Sequence, residues 1–240
     1  MMTVHGYRGR GLHGLAVEAL GRRIAGGLVA PGSALPTEQE IADEFGVSRS
    51  VVREALKVLA AKGLVSARPM AGTRVRPRAE WHLLDPDVLS WLTQTDAAAG
   101  LHADLLGVRR IVEPAAARLA AERSGGRSLA DLEGALAGMD ASWAEPDRFL
   151  LADLAFHAAI LTASGNELLE QLVGAIGTAL RLGREIQPAS DVGPAPLPAD
   201  LLPAHARVVD AIRSGDGDAA EAAMRAVVEA AARVAIVPSS

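Results

Sequence analysis

The hydrophobic pattern of the first eighty residues predicts three short helices. Apolar positions recur at helical spacing over residues 11–28. Thr37, followed three residues later by Glu40, has the pattern of a capping box and predicts a short helix that ends at Gly46. Ser48 is a typical N-cap for the third helix, whose apolar positions are Val51, Val52, Leu56 and Leu59.

The rest of the chain begins with a predicted hairpin and is helical after that. Leu64-Val65 and residues 74–76 are β-prone and flank a turn. A linker over residues 76–87 follows, and Trp81 and Trp91 are expected to hold the linker region to the helices beyond it. Glycine and proline breaks separate the predicted helices at 86–95, 100–124, 128–144, 147–164, 167–187, 201–214 and 217–236.

These elements predict a mainly α protein with two domains. A winged helix-turn-helix should occupy residues 8–78, a linker and first linking helix residues 79–99, and an all-α helical bundle residues 100–236. The length of 240 residues agrees with two domains, and the lack of cysteine excludes disulfides and thiolate metal sites. Because we find neither an uncharged apolar run of membrane-spanning length nor a signal peptide, we expect a cytoplasmic protein without a membrane partner.

The charge is distributed unevenly along the chain. The net charge is −5, yet residues 1–80 carry twelve Lys and Arg against seven Asp and Glu, and residues 81–240 carry twelve against twenty-two. A basic first third suggests that only this part meets a polyanion such as DNA. The excess is modest, so random variation explains it equally well.

The order of a capped helix, a glycine turn and a basic helix is typical of a helix-turn-helix. Arg49 and Arg53 are four residues apart and share one face of the second helix, where each could pair with guanine in the major groove. Small hydroxyl side chains beside them are suited to phosphate oxygens. The predicted DNA-binding residues are therefore Thr37, Ser48, Arg49, Ser50 and Arg53, with Thr73 and Arg74 on the hairpin.

This region resembles the DNA-binding domain of GntR-type bacterial regulators. The similarity covers residues 10–76 and is carried by the string LPTEQEIADEFGVSRSVVREALKVLAAKGLV. The resemblance implies that Arg49, Ser50 and Arg53 contact operator DNA. Met70 stands where the family usually has glycine, so the wing is less typical than the helices.

The helical domain contains a candidate metal site. Asp153 and His157 are spaced one helical turn apart, and His205 lies on a later helix. One carboxylate and two imidazoles suit Zn²⁺, Ni²⁺ or Mn²⁺. An Asp/His pair at this spacing is also common as a surface or capping interaction.

Residues 100–235 resemble the all-helical effector domain, called FCD, of the FadR subgroup of GntR regulators. The string Ala152-Asp153-Leu154-Ala155-Phe156-His157 carries this similarity, together with Ser164-Gly165-Asn166 and His205. The resemblance implies a divalent metal on Asp153, His157, His205 and one more histidine, whose place Val227 takes. Three ligands could hold a metal with open positions, or the histidines could bind an organic acid directly.

The resemblance also indicates the class of effector. Arg109 stands where the family often has an effector-contacting arginine, although a surface pair with Glu113 explains it equally well. The linker around Trp81 and Trp91 is similar to that of galactonate-operon repressors, which implies an aldonate effector. The expected effector-binding residues are Arg109, Asp153, His157, Asn166 and His205.

The sequence therefore predicts a homodimeric regulator, most simply a repressor of sugar-acid catabolism, which binds an inverted-repeat operator and leaves it when an aldonate binds. Two alternatives keep the architecture and change the ligand to another carboxylate, such as lactate, or to the metal itself. A metal-dependent hydrolase or isomerase is disfavoured because no separate nucleophile or general base is evident. We expect no enzymatic activity.

Overall fold

The computed structural model describes residues 11–68, 72–123, 126–185 and 199–234. Contacts between residues divide the chain into two compact units, Met1–Ala98 and Ala99–Ser240. A mainly α architecture with one small hairpin is confirmed.

The first unit is a winged helix-turn-helix. Its helices are α1 (Leu12–Ala25), α2 (Glu38–Phe45), α3 (Arg49–Ala61) and α4 (Pro86–Leu92), with a 3₁₀ turn at Arg78–Glu80; strands β1 (Val65–Arg68) and β2 (Gly72–Val75) form the wing. The strands are antiparallel, with Val65 opposite Val75. The predicted caps are confirmed: Thr37 and Glu40 make a complete capping box, Ser48 caps α3, and Gly46 ends α2 in the left-handed conformation. The tip of the wing, including Met70, lies outside the described residues.

Helix α4 belongs to the first unit, contrary to the expectation that Trp81 and Trp91 hold the linker region to the helical domain. Trp91 is 1% exposed, lies over Gly21 of α1 and donates from Nε1 to Glu18 at 2.8 Å. Trp81 donates to the Arg76 carbonyl oxygen at 2.9 Å. The indoles therefore anchor this segment to the first unit, because Gly21 of α1 has no side chain and leaves room for the Trp91 ring.

The second unit is an all-α bundle. Its helices are α5 (Ala98–Arg123), α6 (Gly126–Ala141), α7 (Pro146–Ala163), α8 (Glu167–Glu170), α9 (Val173–Glu185), α10 (Leu201–Ser214) and α11 (Gly217–Val234). The helix predicted over 167–187 is wrong in one respect, because it is divided into α8 and α9. The Leu172 N–H donates to the Leu169 carbonyl, a tighter turn than an α-helix allows.

Packing of α7 against α6 and α9, and of α10 against α11 and α6, creates one apolar core. Phe149 and Phe156 of α7 lie inside it at 1% and 0% exposure. Since α7 also carries Asp153 and His157, burial of its two phenylalanines fixes the direction in which those polar side chains point.

Candidate nucleic-acid interface and buried ligand site

The two arginines predicted to read bases are exposed on α3. Arg49 is the first residue of this helix and Arg53 lies one turn later, with side chains 59% and 58% exposed. The opposite face is buried, as predicted, through Val52, Leu56 and Leu59. The hydrophobic face thus holds α3 in the unit and leaves its basic N-terminal face open.

A carboxylate that the sequence analysis missed lies between these arginines. Glu38, the first residue of α2, accepts from Arg53 Nη2 at 3.1 Å and lies 3.8 Å from Arg49 Nη2. The hydrogen bond from Arg53 lowers the pKa of Glu38, so the carboxylate stays ionised. The pairs are exposed and hence weak, so DNA can displace them. Glu38 was not predictable because its partners are contributed by a different helix.

The predicted phosphate-contacting hydroxyls are used in capping. Thr37 Oγ1 accepts from the Glu40 N–H at 3.2 Å, and Ser48 Oγ accepts from the Val51 N–H at 3.4 Å. The Ser48 and Ser50 hydroxyls lie 2.8 Å apart. All three side chains are exposed, and they mark the starts of α2 and α3, where free N–H groups favour anions.

The wing residues are partly engaged within the protein. Thr73 pairs with Ala67 across the hairpin, and Arg74 Nη1 donates to the Gly32 carbonyl at 3.0 Å. The Arg74 guanidinium therefore helps to fix the loop before α2 against the wing. A DNA contact by Arg74 stays a prediction.

The second unit encloses a cavity of about 60 Å³ that contains the predicted metal ligands. Helices α5, α7, α9, α10 and α11 each contribute to its wall. The lining residues that matter below are His102, Arg109, Asp153, His157, His205 and Val227.

Asp153, His157 and His205 come together as predicted, with ligand atoms within 4.8 Å of one another. His205 Nδ1 lies 2.8 Å from the Leu201 carbonyl, to which it can donate. Its Nε2 lone pair then faces the Asp153 carboxylate oxygen at 3.2 Å, and neither atom has a hydrogen-bond partner. Two facing lone pairs repel, so the arrangement fits a cation held between them.

Electrostatics keep Asp153 in the form that binds metal. Burial raises the pKa of Asp153, but the hydrogen bond and charge of His157 outweigh burial and hold that pKa well below its usual range. Val227 is 1% exposed and lines the same cavity. Because it offers no ligand atom, the candidate metal group among the described residues consists of Asp153, His157 and His205.

Arg109 is buried, not part of a surface pair. It is 2% exposed and donates from Nε to Glu113 at 2.6 Å, while its Nη2 lies 3.3 Å from His157 Nε2. Glu113 also lies 2.7 Å from His157 Nδ1. Burial alone would raise the pKa of Glu113. The charges of Arg109 and His157 outweigh burial and lower this pKa to about 2. Glu113, which the sequence analysis treated only as a partner of Arg109, thus orients a metal ligand.

The structure does not place Asn166 at this cavity. Its side-chain oxygen caps α8 by accepting from the Leu168 and Leu169 N–H groups at 3.0 and 3.4 Å. Local capping thus uses the side-chain oxygen of Asn166, and an effector contact by Asn166 stays a prediction.

Comparison with known proteins assigns both units. Residues 14–75 match the model of the gntR family of bacterial regulatory proteins, and residues 104–230 match the FCD domain. The chain belongs to the GntR family. It is a transcription regulator and not an enzyme, because the family and its relatives are regulators.

Similar proteins cover nearly the whole chain. The galactonate operon transcriptional repressor of Escherichia coli (strain K12) is 39% identical over 217 residues, which are 90% of this chain and 93% of that protein. A second protein of the same organism, described as regulating the L-lactate dehydrogenase operon, is 32% identical over 81% of this chain and 75% of its own length. Among solved structures, Streptococcus agalactiae GntR is 25% identical with a TM-score of 0.52, covering 92% of this chain and 99% of its own.

In the described part of the chain, no helix is both long and apolar enough to cross a membrane. GntR regulators bind operator DNA, so the exposed basic face of α3 is the candidate interface.

Proposed function

We propose that this regulator represses an operon of sugar-acid catabolism and leaves its operator when an aldonate such as galactonate binds in the FCD cavity. The observation that carries the proposal is the cavity itself, in which Arg109 and the group Asp153, His157 and His205 converge. The similarity to a galactonate operon repressor over 90% of the chain supports this choice of ligand.

A divalent metal, Zn²⁺, Ni²⁺ or Mn²⁺, would be held by Asp153, His157 and His205. When bound, it would act as a Lewis acid that takes an effector carboxylate at an open coordination position. Glu113 holds the His157 ring, and the Leu201 carbonyl holds the His205 ring, as supporting groups do in metal sites.

The size of the cavity suggests how binding is coupled to a change in shape. A water needs about 10–15 Å³ of such volume, so about 60 Å³ holds only a few water molecules. A six-carbon acid is larger than this space, so we infer that the cavity widens when such an acid binds. A ligand that binds the wider form better shifts the population toward it, which can lower operator affinity.

On the DNA side, we infer a homodimer that presents two α3 helices to an inverted repeat. Each Arg49–Arg53 pair would read one half-site in the major groove, with Thr37, Ser48 and Ser50 near phosphates and Thr73 and Arg74 on the wing. A protein that works on the chromosome is expected in the cytoplasm.

The test is a gel shift with DNA from upstream of the chain's own gene, titrated with galactonate, gluconate, lactate and glycerol. We expect a shifted protein–DNA complex that dissociates when galactonate is added. Glycerol is the uncharged control and should leave the complex intact. A complex that does not dissociate with any of the sugar acids would contradict the proposed effector.

A second candidate effector is a small carboxylate such as lactate. The cavity volume of about 60 Å³ favours it, and so does the similarity to the protein described as regulating the L-lactate dehydrogenase operon. In the same gel shift, release by lactate and not by galactonate would select this candidate.

A further inference from the structure

His102 is a polar group of the effector cavity that neither the metal site nor the Arg109 pair uses. It lies on α5, two turns before Arg109, and lines the same cavity. Both ring nitrogens are shielded from solvent, and neither has a hydrogen-bond partner of normal geometry, although the Ala179 carbonyl lies beside the ring. Buried polar groups are normally paired, so a group left this way in a binding cavity suggests a ligand.

The ring is held in place from the other side of the cavity by α9. A Cβ atom on Gly183 would lie 3.1 Å from His102 Cε1, so the missing side chain of Gly183 lets the imidazole lie against α9. The imidazole is neutral, because burial and the charge of Arg109 both lower its pKa. A neutral imidazole offers one donor and one acceptor, and a hydroxyl group can pair with either of them.

The spacing on α5 indicates which ligands can reach His102. His102 and Arg109 are seven positions apart on the helix, so their Cα atoms differ by a rise of about 10 Å along one face. Leu106 lies between them and lines the same wall. An extended six-carbon acid is longer than a three-carbon acid by three C–C bonds of about 1.5 Å each, so its far hydroxyl reaches farther from Arg109 along this wall.

We propose that His102 is a specificity-determining residue that hydrogen-bonds a hydroxyl at the far end of a polyhydroxy acid whose carboxylate is held beside Arg109 and the Asp153 group. This inference rests on the proposed function. It makes His102 the residue that separates long sugar acids from short hydroxy acids, which the metal ligands alone would bind alike.

The test is isothermal titration of the full chain, loaded with Zn²⁺, with D-galactonate and with L-lactate. His102→Phe keeps a ring of similar size and removes both hydrogen-bonding atoms, while His102→Asn retains a donor and an acceptor. The control is His82→Phe at an exposed histidine of the first unit. We expect His102→Phe to weaken galactonate binding about tenfold or more, with lactate changed less than about twofold, and His102→Asn to recover part of the loss.

A second pair of variants covers the case in which His102→Phe does not fold. In Gly183→Ala, the added methyl group presses on the imidazole from α9 and should weaken galactonate binding more than lactate binding. Gly174→Ala lies on the same helix with open space around it and should leave the binding of both acids unchanged. Unchanged galactonate binding in the His102 variants, or equal loss for both acids, overturns the role of His102 alone. If the unmodified chain binds no galactonate, the proposed function fails as well.

Discussion

At the scale of single residues, the DNA interface depends on how Arg49 and Arg53 are held before DNA arrives. Glu38 lies close to both guanidinium groups and so restricts the positions of both arginine side chains. Opposite charges at an exposed site interact weakly, and the two acceptors of a guanine can replace the two Glu38 oxygens that Arg53 contacts. The local pair therefore orders the arginines at little cost to binding.

Replacing Arg53 by alanine removes a proposed base contact. We expect operator affinity to fall about tenfold or more and preference at one base position to relax. Fluorescence anisotropy with operator variants measures both effects. Arg148→Ala, at a similarly exposed arginine paired with Glu145, is the control and should bind like the unmodified chain. Normal operator binding by Arg53→Ala would contradict the recognition role of α3.

Replacing Glu38 by glutamine should raise the affinity for DNA, in contrast to the loss expected for Arg53→Ala. The change removes a negative charge near the phosphates and frees both arginines, so we expect DNA of any sequence to bind about two to five times more tightly at low salt. Because the arginines are less ordered, the affinity for operator relative to that for random-sequence DNA should fall. Weaker binding to operator would show instead that Glu38 directs the arginines to their bases.

Glu113 is the residue whose loss should most affect stability. Arg109 is buried, and Glu113 is the carboxylate nearest to it at 2.6 Å. Glu113→Gln would remove the charge that is paired directly with this guanidinium, and breaking a buried pair in this way costs about 3–5 kcal/mol. Urea unfolding measures the loss against Glu145→Gln, an exposed control. A loss below about 1 kcal/mol would contradict the account of this pair.

At the scale of helices, local patterns were predictable and contacts between helices were not. The caps at Thr37, Ser48 and Gly46 followed from the sequence because each involves atoms within a few residues. Asp153 and His157 followed from their spacing on one helix. The Glu38–Arg53 and Glu113–His157 pairs did not, because they depend on how separate helices approach.

Asn166 shows that residue type alone does not decide between a binding role and a capping role. Its type suits a hydroxyl-rich ligand, yet an asparagine before a helix also caps it, and the structure shows capping. The burial of Arg109 likewise could not be told from an exposed i, i+4 pair, because spacing along a helix does not show which face is covered.

Helix α4 is joined to the DNA-binding helices by two contacts. Lys62, at the end of α3, lies 2.8 Å from Asp85 and 2.6 Å from Asp87, all mostly buried. Trp91 fills the space left by Gly21. The start of the linker region is thus part of the first unit.

The Gly21–Trp91 contact can be tested by stability. A Cβ on Gly21 would lie 2.5 Å from the Trp91 ring, so Gly21→Ala should destabilise the first unit by about 1–3 kcal/mol. Gly134→Ala in α6, where nothing lies within 4 Å, should have the opposite sign and stabilise its unit by about 0.5–1 kcal/mol. Urea unfolding followed by circular dichroism compares them. A neutral Gly21→Ala would contradict the close packing of α4.

At the scale of the whole molecule, fold and family were predictable because two long motifs cover most of the chain. The family matches over residues 14–75 and 104–230 agree with the resemblance of the sequence. The identity of the effector is a finer question, because it depends on the size of one cavity and on side chains from five helices. Val227 illustrates this, since one apolar residue on α11 takes a place in the cavity wall without offering a ligand atom.

The most direct measurement is the anisotropy of a labelled operator fragment bound to the chain and titrated with galactonate. The proposed function predicts that galactonate releases DNA from the unmodified chain and from Asp147→Asn, an exposed control on α7. Asp153→Asn should bind the operator with unchanged affinity and retain it at galactonate concentrations that release the unmodified chain. Release of Asp153→Asn at the same galactonate concentration as the unmodified chain would contradict control from this cavity.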